Sequence, residues 1–145
     1  MGRIIKEIEI EGKPVFALFD TGSTNTYVEK RLLPNISLFS VPEPYRGVLG
    51  GKVKEVREVS LIRGKIESLG FDIEAIPIDE IGKIDGRGVA VIIGALTMEK
   101  WEIRLDPKSG ELDLTGLRRR EFTEYYYKRD FRLDGLENFS IIFYV

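Results

Sequence analysis

The chain has 145 residues, 43% of them hydrophobic, which supports one sizeable core and hardly two. Its 22 Lys and Arg against 24 Asp and Glu leave a net charge of only -2, so overall charge points neither to nucleic acid nor to an anionic membrane surface. Cysteine and histidine are both absent, which excludes disulfides, thiol nucleophiles, imidazole bases and zinc sites of the usual ligand type. Catalysis, if any, must run on carboxylates, hydroxyls, lysines or tyrosines, and no cofactor or metal is implied. The longest apolar runs fall far short of the roughly 20 residues of a membrane span. The N-terminus alternates instead of forming a signal-peptide core, so the expectation is a soluble, cytoplasmic protein. Glutamine is missing, asparagine occurs three times, and Lys, Arg and Glu are abundant, a bias like that of proteins from hot environments.

In chain order the dominant period is two. Ile8 and Ile10 precede a turn at Glu11-Gly12-Lys13, and Val15 to Phe19 follows as a strand buried on both sides, so a hairpin leads straight into Asp20. Tyr27 to Pro34 suits a short helical turn, and Pro34, Pro42 and Pro44 mark an irregular connection. A second hairpin turns near Gly50 and Gly51, with flanking glycines favouring strands over the three-residue recurrence of Val53, Val56 and Val59. Phe71 to Ala75 alternates, Gly82 to Gly88 reads as a charged loop, and Val89 to Ile93 is a continuous apolar run ending at Gly94. One or two helical turns are expected over Ala95 to Lys100, a strand over Trp101 to Leu105, a turn from Asp106 to Gly110, and a last strand from Glu111.

A carboxylate at the end of a buried strand is expensive unless something uses it, and one carboxylate alone is a poor base toward an amide. A second would solve the problem. If two copies pair about a twofold axis, Asp20 meets its own counterpart, the two carboxyls cannot both ionise, and they share one proton. One member then acts as base toward a water while the other donates to the substrate carbonyl. The local alternative is an Asp that caps a helix begun at Thr21.

Three ordered stretches bear on the choice: Phe19-Asp20-Thr21-Gly22-Ser23, then Gly47-Val48-Leu49-Gly50-Gly51 followed by Lys52 to Val56, then Ile92-Ile93-Gly94. Together they resemble the catalytic loop, the glycine-rich flap and the second apolar-apolar-glycine motif of the retropepsin-like aspartic proteases. These are the single-lobed, homodimeric group that includes retroviral proteases and Ddi1-type domains. The similarity covers about residues 3 to 116. It implies a mainly β fold, a closed or partly closed β-barrel of the acid-protease type with one or two short helices and a flap hairpin. It implies that Asp20 is the catalytic carboxylate, that Thr21 bonds across the twofold axis, and that Gly22 gives the loop its freedom of backbone. Gly47, Val48, Leu49, Gly50 and Gly51 become a lid over an extended peptide, with Ile92, Ile93 and Gly94 supporting the loop. A Ser23 hydroxyl donating to the carboxylate favours its ionised form, which implies an acid optimum.

The implied function is an aspartic endopeptidase, a homodimer that hydrolyses extended or unfolded polypeptide. The alternative is a catalytically idle module of the same fold that dimerises or grips peptides. Many retroviral members carry an Arg after the second motif's glycine and an acid two residues past the catalytic glycine, as parts of an ion-pair network across the dimer. This chain has Ala95 and Thr24 there, so another contact must hold its dimer. The chain divides into a protease-like domain, 1–116, and an aromatic and basic extension, 117–145, with Phe139 to Val145 as a candidate interface strand. Arg118 to Arg120 and eight nearby aromatics would suit single-stranded nucleic acid, but interleaved acids dilute the charge and nucleic acid is not the expected partner.

Overall fold

The computed structural model describes residues 2–122 of the chain. Apolar alternation from Arg3 builds β1 (Arg3–Ile10), and the turn at Glu11-Gly12 returns the chain as β2 (Lys13–Asp20), paired antiparallel from Ile10↔Lys13 to Arg3↔Asp20. Next come β3 (Tyr27–Glu29) and a single 3-10 turn, Lys30–Leu32. The short helical turn expected between Tyr27 and Pro34 is therefore half strand. Tyr27, Val28 and Glu29 are all buried, and the sheet claims them first.

Two long strands, β4 (Leu38–Leu49) and β5 (Lys52–Ile66), form the hairpin that turns at Gly50 and Gly51. Both glycines have positive φ, 57° and 79°, as a two-residue turn matched to strand twist requires. Pro42 and Pro44, expected in an irregular connection, lie inside β4, where the pairing shifts register between Ser40 and Tyr45. A residue without an N–H is tolerated where the ladder is interrupted. β6 (Leu69–Ile78) returns along β5. The stretch expected as a charged loop holds a small hairpin, β7 (Lys83–Ile84) and β8 (Arg87–Gly88).

β9 (Val91–Ile93) is the keystone of the sheet. It runs parallel to β2 through Ala17↔Val91, Leu18↔Ile92 and Phe19↔Ile93, and antiparallel to β3 through Tyr27↔Ile92 and Val28↔Val91. Strand order is β1-β2-β9-β3-β6-β5-β4, and the sheet curls until β1 meets β5 over two residue pairs, Glu9↔Lys65 and Ile10↔Gly64. The ring is thus uneven, mainly β, and not an evenly closed barrel. α1 (Ala95–Trp101) follows β9, then β10 (Arg104–Asp106), β11 (Glu111–Asp113) and α2 (Thr115–Arg119). Trp101, expected to begin a strand, ends α1 instead. Its indole Nε1 donates to the Asp72 carbonyl at 2.9 Å, and the chain reverses at Glu102 with φ 54°.

Alternation along β2 divides the core between two faces. Phe19, Ile10, Val28, Ile62, Ile73 and Ile93 fill one cluster with Trp101 and Leu117. Leu18, Tyr27, Val56, Ile76 and Ile92 form the other, with Leu49 of the β4–β5 hairpin against it. α2 crosses the domain boundary expected at 116, because Leu117 is buried in the first cluster. The arginines next to it serve the same domain. Arg118 pairs with Glu67 at 2.8 Å, Arg119 with Glu102 at 2.7 Å, and Arg120 donates to the Gly70 carbonyl and lies over Trp101. The proposed interface strand, Phe139 to Val145, lies outside the described residues.

Two contacts fix the ring. At the junction of β9 and α1, a Cβ on Gly94 would overlap the Asn25 carbonyl and come within 2.7 Å of the Ser23 oxygen, so only glycine lets the two segments touch. Where β1 meets β5, the Glu11 carboxylate accepts the Arg63 N–H at 2.7 Å and Nη2 at 2.8 Å, while the Glu11 N–H donates to the Arg63 carbonyl. The hydrogen bond from the Arg63 side chain, opposed by partial burial and aided by the backbone N–H, holds the Glu11 carboxyl below its ordinary 4.5. Stabilisation of this kind is complete above the unfolded value and is lost as pH falls through the lowered folded one. Glu11→Gln is expected to lower the melting temperature by about 3 °C at neutral pH, the gap closing in acid. Melts whose gap fails to narrow as the pH is lowered would contradict this. Gly94→Ala is expected to cost about 2 kcal/mol or more in urea unfolding, as a small-to-large change against fixed backbone does.

Candidate active site

Asp20 is the last residue of β2 and is partly buried. One carboxylate oxygen, Oδ1, accepts the Gly22 N–H at 2.8 Å, and the Ser23 N–H donates to the Asp20 carbonyl at 3.1 Å. This is the local bonding of a tight Asx-type turn, and no helix follows it, so the capping alternative has the right hydrogen bond without its helix. Thr21 lies opposite Gly2. Its N–H donates to the Gly2 carbonyl at 3.1 Å, and its hydroxyl accepts the Gly2 N–H at 2.9 Å. The first strand thus shapes the loop from within the same chain. A hydroxyl has two lone pairs, so Oγ1 keeps one for a further donor.

Ser23 does not do what its place in the motif implies. Its Oγ donates to the Asn25 carbonyl at 2.9 Å, and a hydroxyl has a single proton to give. The side chain therefore closes the loop instead of bonding the Asp20 carboxylate. Below the loop, Ala95 and Leu96 donate their N–H groups to the Ser23 and Thr24 carbonyls at 2.6 and 3.1 Å. The loop and the start of α1 are locked together, with Gly94 at the crossing and Ile92 and Ile93 of β9 buried beside β2.

Three supporting residues had no motif to mark them. Thr26 is buried, its Oγ1 lies 2.7 Å from Thr97 Oγ1, and it accepts the Gly94 N–H at 3.0 Å. One hydroxyl pair thus satisfies the polar groups beneath the loop, which a valine could not do. Glu29, also buried, accepts from Arg31 Nε at 2.8 Å and from the Ile81 N–H at 2.8 Å. It pins the 79–88 segment to β3. Tyr27 reaches the other hairpin: a Cβ on Gly47 would lie 2.5 Å from the Tyr27 hydroxyl, so Gly47 lets β4 settle on that ring. The only signal available for these positions is a polar group inside an otherwise apolar strand.

The five positions expected to form a flap, Gly47 to Gly51, occupy the end of the β4–β5 hairpin. Val48 pairs with Val53 and Leu49 with Lys52; Val48 and Val53 are 69% and 63% exposed, while Leu49 turns inward to the second core cluster. Leu18 belongs to that cluster, and two residues on along β2 Asp20 lies on the same strand face. The hairpin and the carboxylate therefore share one side of the sheet. Tyr45, lower on β4, has its phenol held above the ordinary range by burial first and then by the charges of Glu74 and Tyr27. A separate hollow of about 970 Å³ lies beside the loop, lined by Gly2, Ile4, Thr21, Met98, Ile103 and Leu105 among others.

No family model matches the chain. In structure it is similar to the retroviral protease-like domain of Ddi1 from Leishmania major, with a TM-score of 0.54 and 12% identity, over 81% of this chain and 88% of that one. It is also similar to the EIAV protease solved with the inhibitor HBY-793, at a TM-score of 0.48 and 16% identity over 72% of this chain and 93% of that one. A further similarity is to the protease of Simian Foamy Virus (mac), at 0.44 and 17% over 66% and 91%. At such identities the likeness to the Leishmania domain speaks to architecture, and the architecture of the described chain is the retropepsin-like fold.

Proposed function

We propose that the chain is an aspartic endopeptidase that works as a homodimer on extended or unfolded polypeptide. The observation that carries this reading is the placement of Asp20. A partly buried carboxylate ends β2, a strand paired on one side with β1 and on the other with β9, is held by a backbone N–H, and lies on the strand face toward the side where the glycine-turned hairpin packs. A turn or a cap needs no such hairpin.

In the dimer two Asp20 carboxyls approach across the axis and share one proton. The ionised member takes a proton from a water, which attacks the scissile carbonyl carbon while the protonated member donates to the carbonyl oxygen. The tetrahedral intermediate collapses when a proton passes to the amide nitrogen, the C–N bond breaks, and the dyad returns to its singly protonated state. Gly22 N–H on Oδ1 fixes the orientation of each carboxylate. Because the Ser23 hydroxyl serves Asn25, the acid optimum derives in this reading from the shared proton of the pair. The hollow beside Thr21 gives a second copy a face on which to seat, and the spare Thr21 lone pair gives the axis a hydrogen bond. The β4–β5 hairpin closes over substrate, whose backbone pairs as an added strand.

Cleavage of an unfolded protein across about pH 3 to 7 tests this reading, that window bracketing a coupled carboxyl pair. The wild-type chain is expected to yield discrete fragments with a rate that falls on both sides of an acid optimum. Asp20→Asn should lower the rate by about a thousandfold or more while leaving the melting curve folded. Equal cleavage by both chains would overturn the assignment, and cleavage by neither from a folded dimer would favour the idle peptide-binding module.

A further inference from the structure

A second concavity opens between the flap strand and the start of α1, and the chemistry above makes no use of it. It measures about 270 Å³ and is lined by Asn25 of the loop, Tyr45 of β4, Leu61 of β5, Glu74 and Ile76 of β6, and Leu96 of α1, with others. Small-molecule pockets run from about 300 to 1,000 Å³, so this one suits a single side chain better than a cofactor. Its position matters more than its size. Asn25 lies five residues past Asp20 on the same loop, and Tyr45 lies two residues before Gly47 on the strand that rises into the flap. Its lining thus joins the segment that follows Asp20 to the strand that rises into the hairpin.

The walls and the charge define what would fit. Tyr45, Leu61 and Leu96 are 42%, 57% and 56% exposed, three large apolar surfaces around one groove. Two acids also line it. Asp72 is already matched by Lys100 Nζ at 3.2 Å, which itself lies over Trp101. Glu74 has no salt bridge among the described residues. It lines the groove together with Tyr45, on the apolar wall nearest the β4–β5 hairpin, and its charge helps to hold the Tyr45 phenol above its ordinary range. An apolar channel with one uncompensated carboxylate complements a long aliphatic stem that ends in a cation.

We propose that this groove is a specificity subsite that takes a lysine or arginine side chain of the polypeptide substrate, its methylenes on Leu61 and Leu96 and its cation at Glu74. The inference rests on the endopeptidase reading for its substrate class, and it adds a preference that the catalytic loop alone does not contain. Glu74 is exposed, so the preference is moderate and weakens with salt.

The test is a peptide series built on one extended apolar sequence, carrying a single Lys or a single Glu at each position outside the scissile pair in turn. At one position the wild-type enzyme is expected to show a kcat/KM about tenfold higher for Lys than for Glu, attraction and repulsion together doubling the effect of one exposed pair. Glu74→Gln should bring that ratio close to one, and Glu74→Lys should invert it. A ratio unchanged in Glu74→Gln, or no positional preference in the wild type, would overturn the subsite. The same peptides, labelled for fluorescence anisotropy and titrated into Asp20→Asn, read the preference without catalysis. A Glu74-dependent Lys preference in binding with no cleavage by the wild type sinks the protease reading and upholds the subsite. Cleavage without the preference does the reverse.

Discussion

The structure depends on a three-strand crossing in which β9 lies between β2 and β3, parallel to one and antiparallel to the other. That crossing places the end of β2, and with it Asp20, directly beside the point where the chain leaves the sheet for α1. Two backbone segments must then occupy the same narrow space. Gly94 makes this possible because any Cβ would collide with the Asn25 and Ser23 carbonyls. Once in contact, the segments satisfy each other: Ala95 and Leu96 donate to the loop carbonyls, and Gly94 donates to the buried Thr26 hydroxyl. The carboxylate is thus carried on a loop whose polar groups are already paired, so its position is set by the sheet.

The second core cluster extends that rigidity toward the hairpin. Tyr27 lies on β3, packs in one cluster with Leu18 and Ile92, and sets its hydroxyl against Gly47. The base of the hairpin is therefore tied to the same strands that hold Asp20. Its tip is not: Val48 and Val53 are exposed, and the turn at Gly50 and Gly51 carries no side chain. The hairpin thus has a fixed base and an open apolar tip. Gly2 plays a comparable part on the other side, since it bonds both polar groups of Thr21 and shapes the loop from within the chain.

What could be read from sequence, and what could not, follows from the range of the interactions. The hairpin at Gly50-Gly51, the strand that ends on Asp20 and the helix after Gly94 are legible because each needs a particular residue at a particular backbone conformation or approach. Alternation likewise exposed most strands. The misread segments are those where distant contacts decide. Tyr27 to Glu29 looks helical in isolation but is captured by β6 and β9, and Trp101 stays in α1 because its indole finds the Asp72 carbonyl. Pro42 and Pro44 suggested a break, yet a long strand absorbs them at a register shift. The Ser23 hydroxyl could be assigned to Asp20 by motif alone, whereas the loop's own curvature brings the Asn25 carbonyl to it. Thr26 with Thr97 and Glu29 with the Ile81 N–H join residues 71 and 52 positions apart, and no local pattern announces either pair.

The central claim is that one active site is made from two copies of Asp20. The most direct measurement uses a tandem chain, two copies joined by a flexible linker, assayed for cleavage of an unfolded protein at dilution. The account predicts that a tandem with both Asp20 residues is active, and that Asp20→Asn in either copy alone abolishes activity as completely as in both. A singly substituted tandem that keeps about half the activity would mean that each chain works by itself, and would contradict the account.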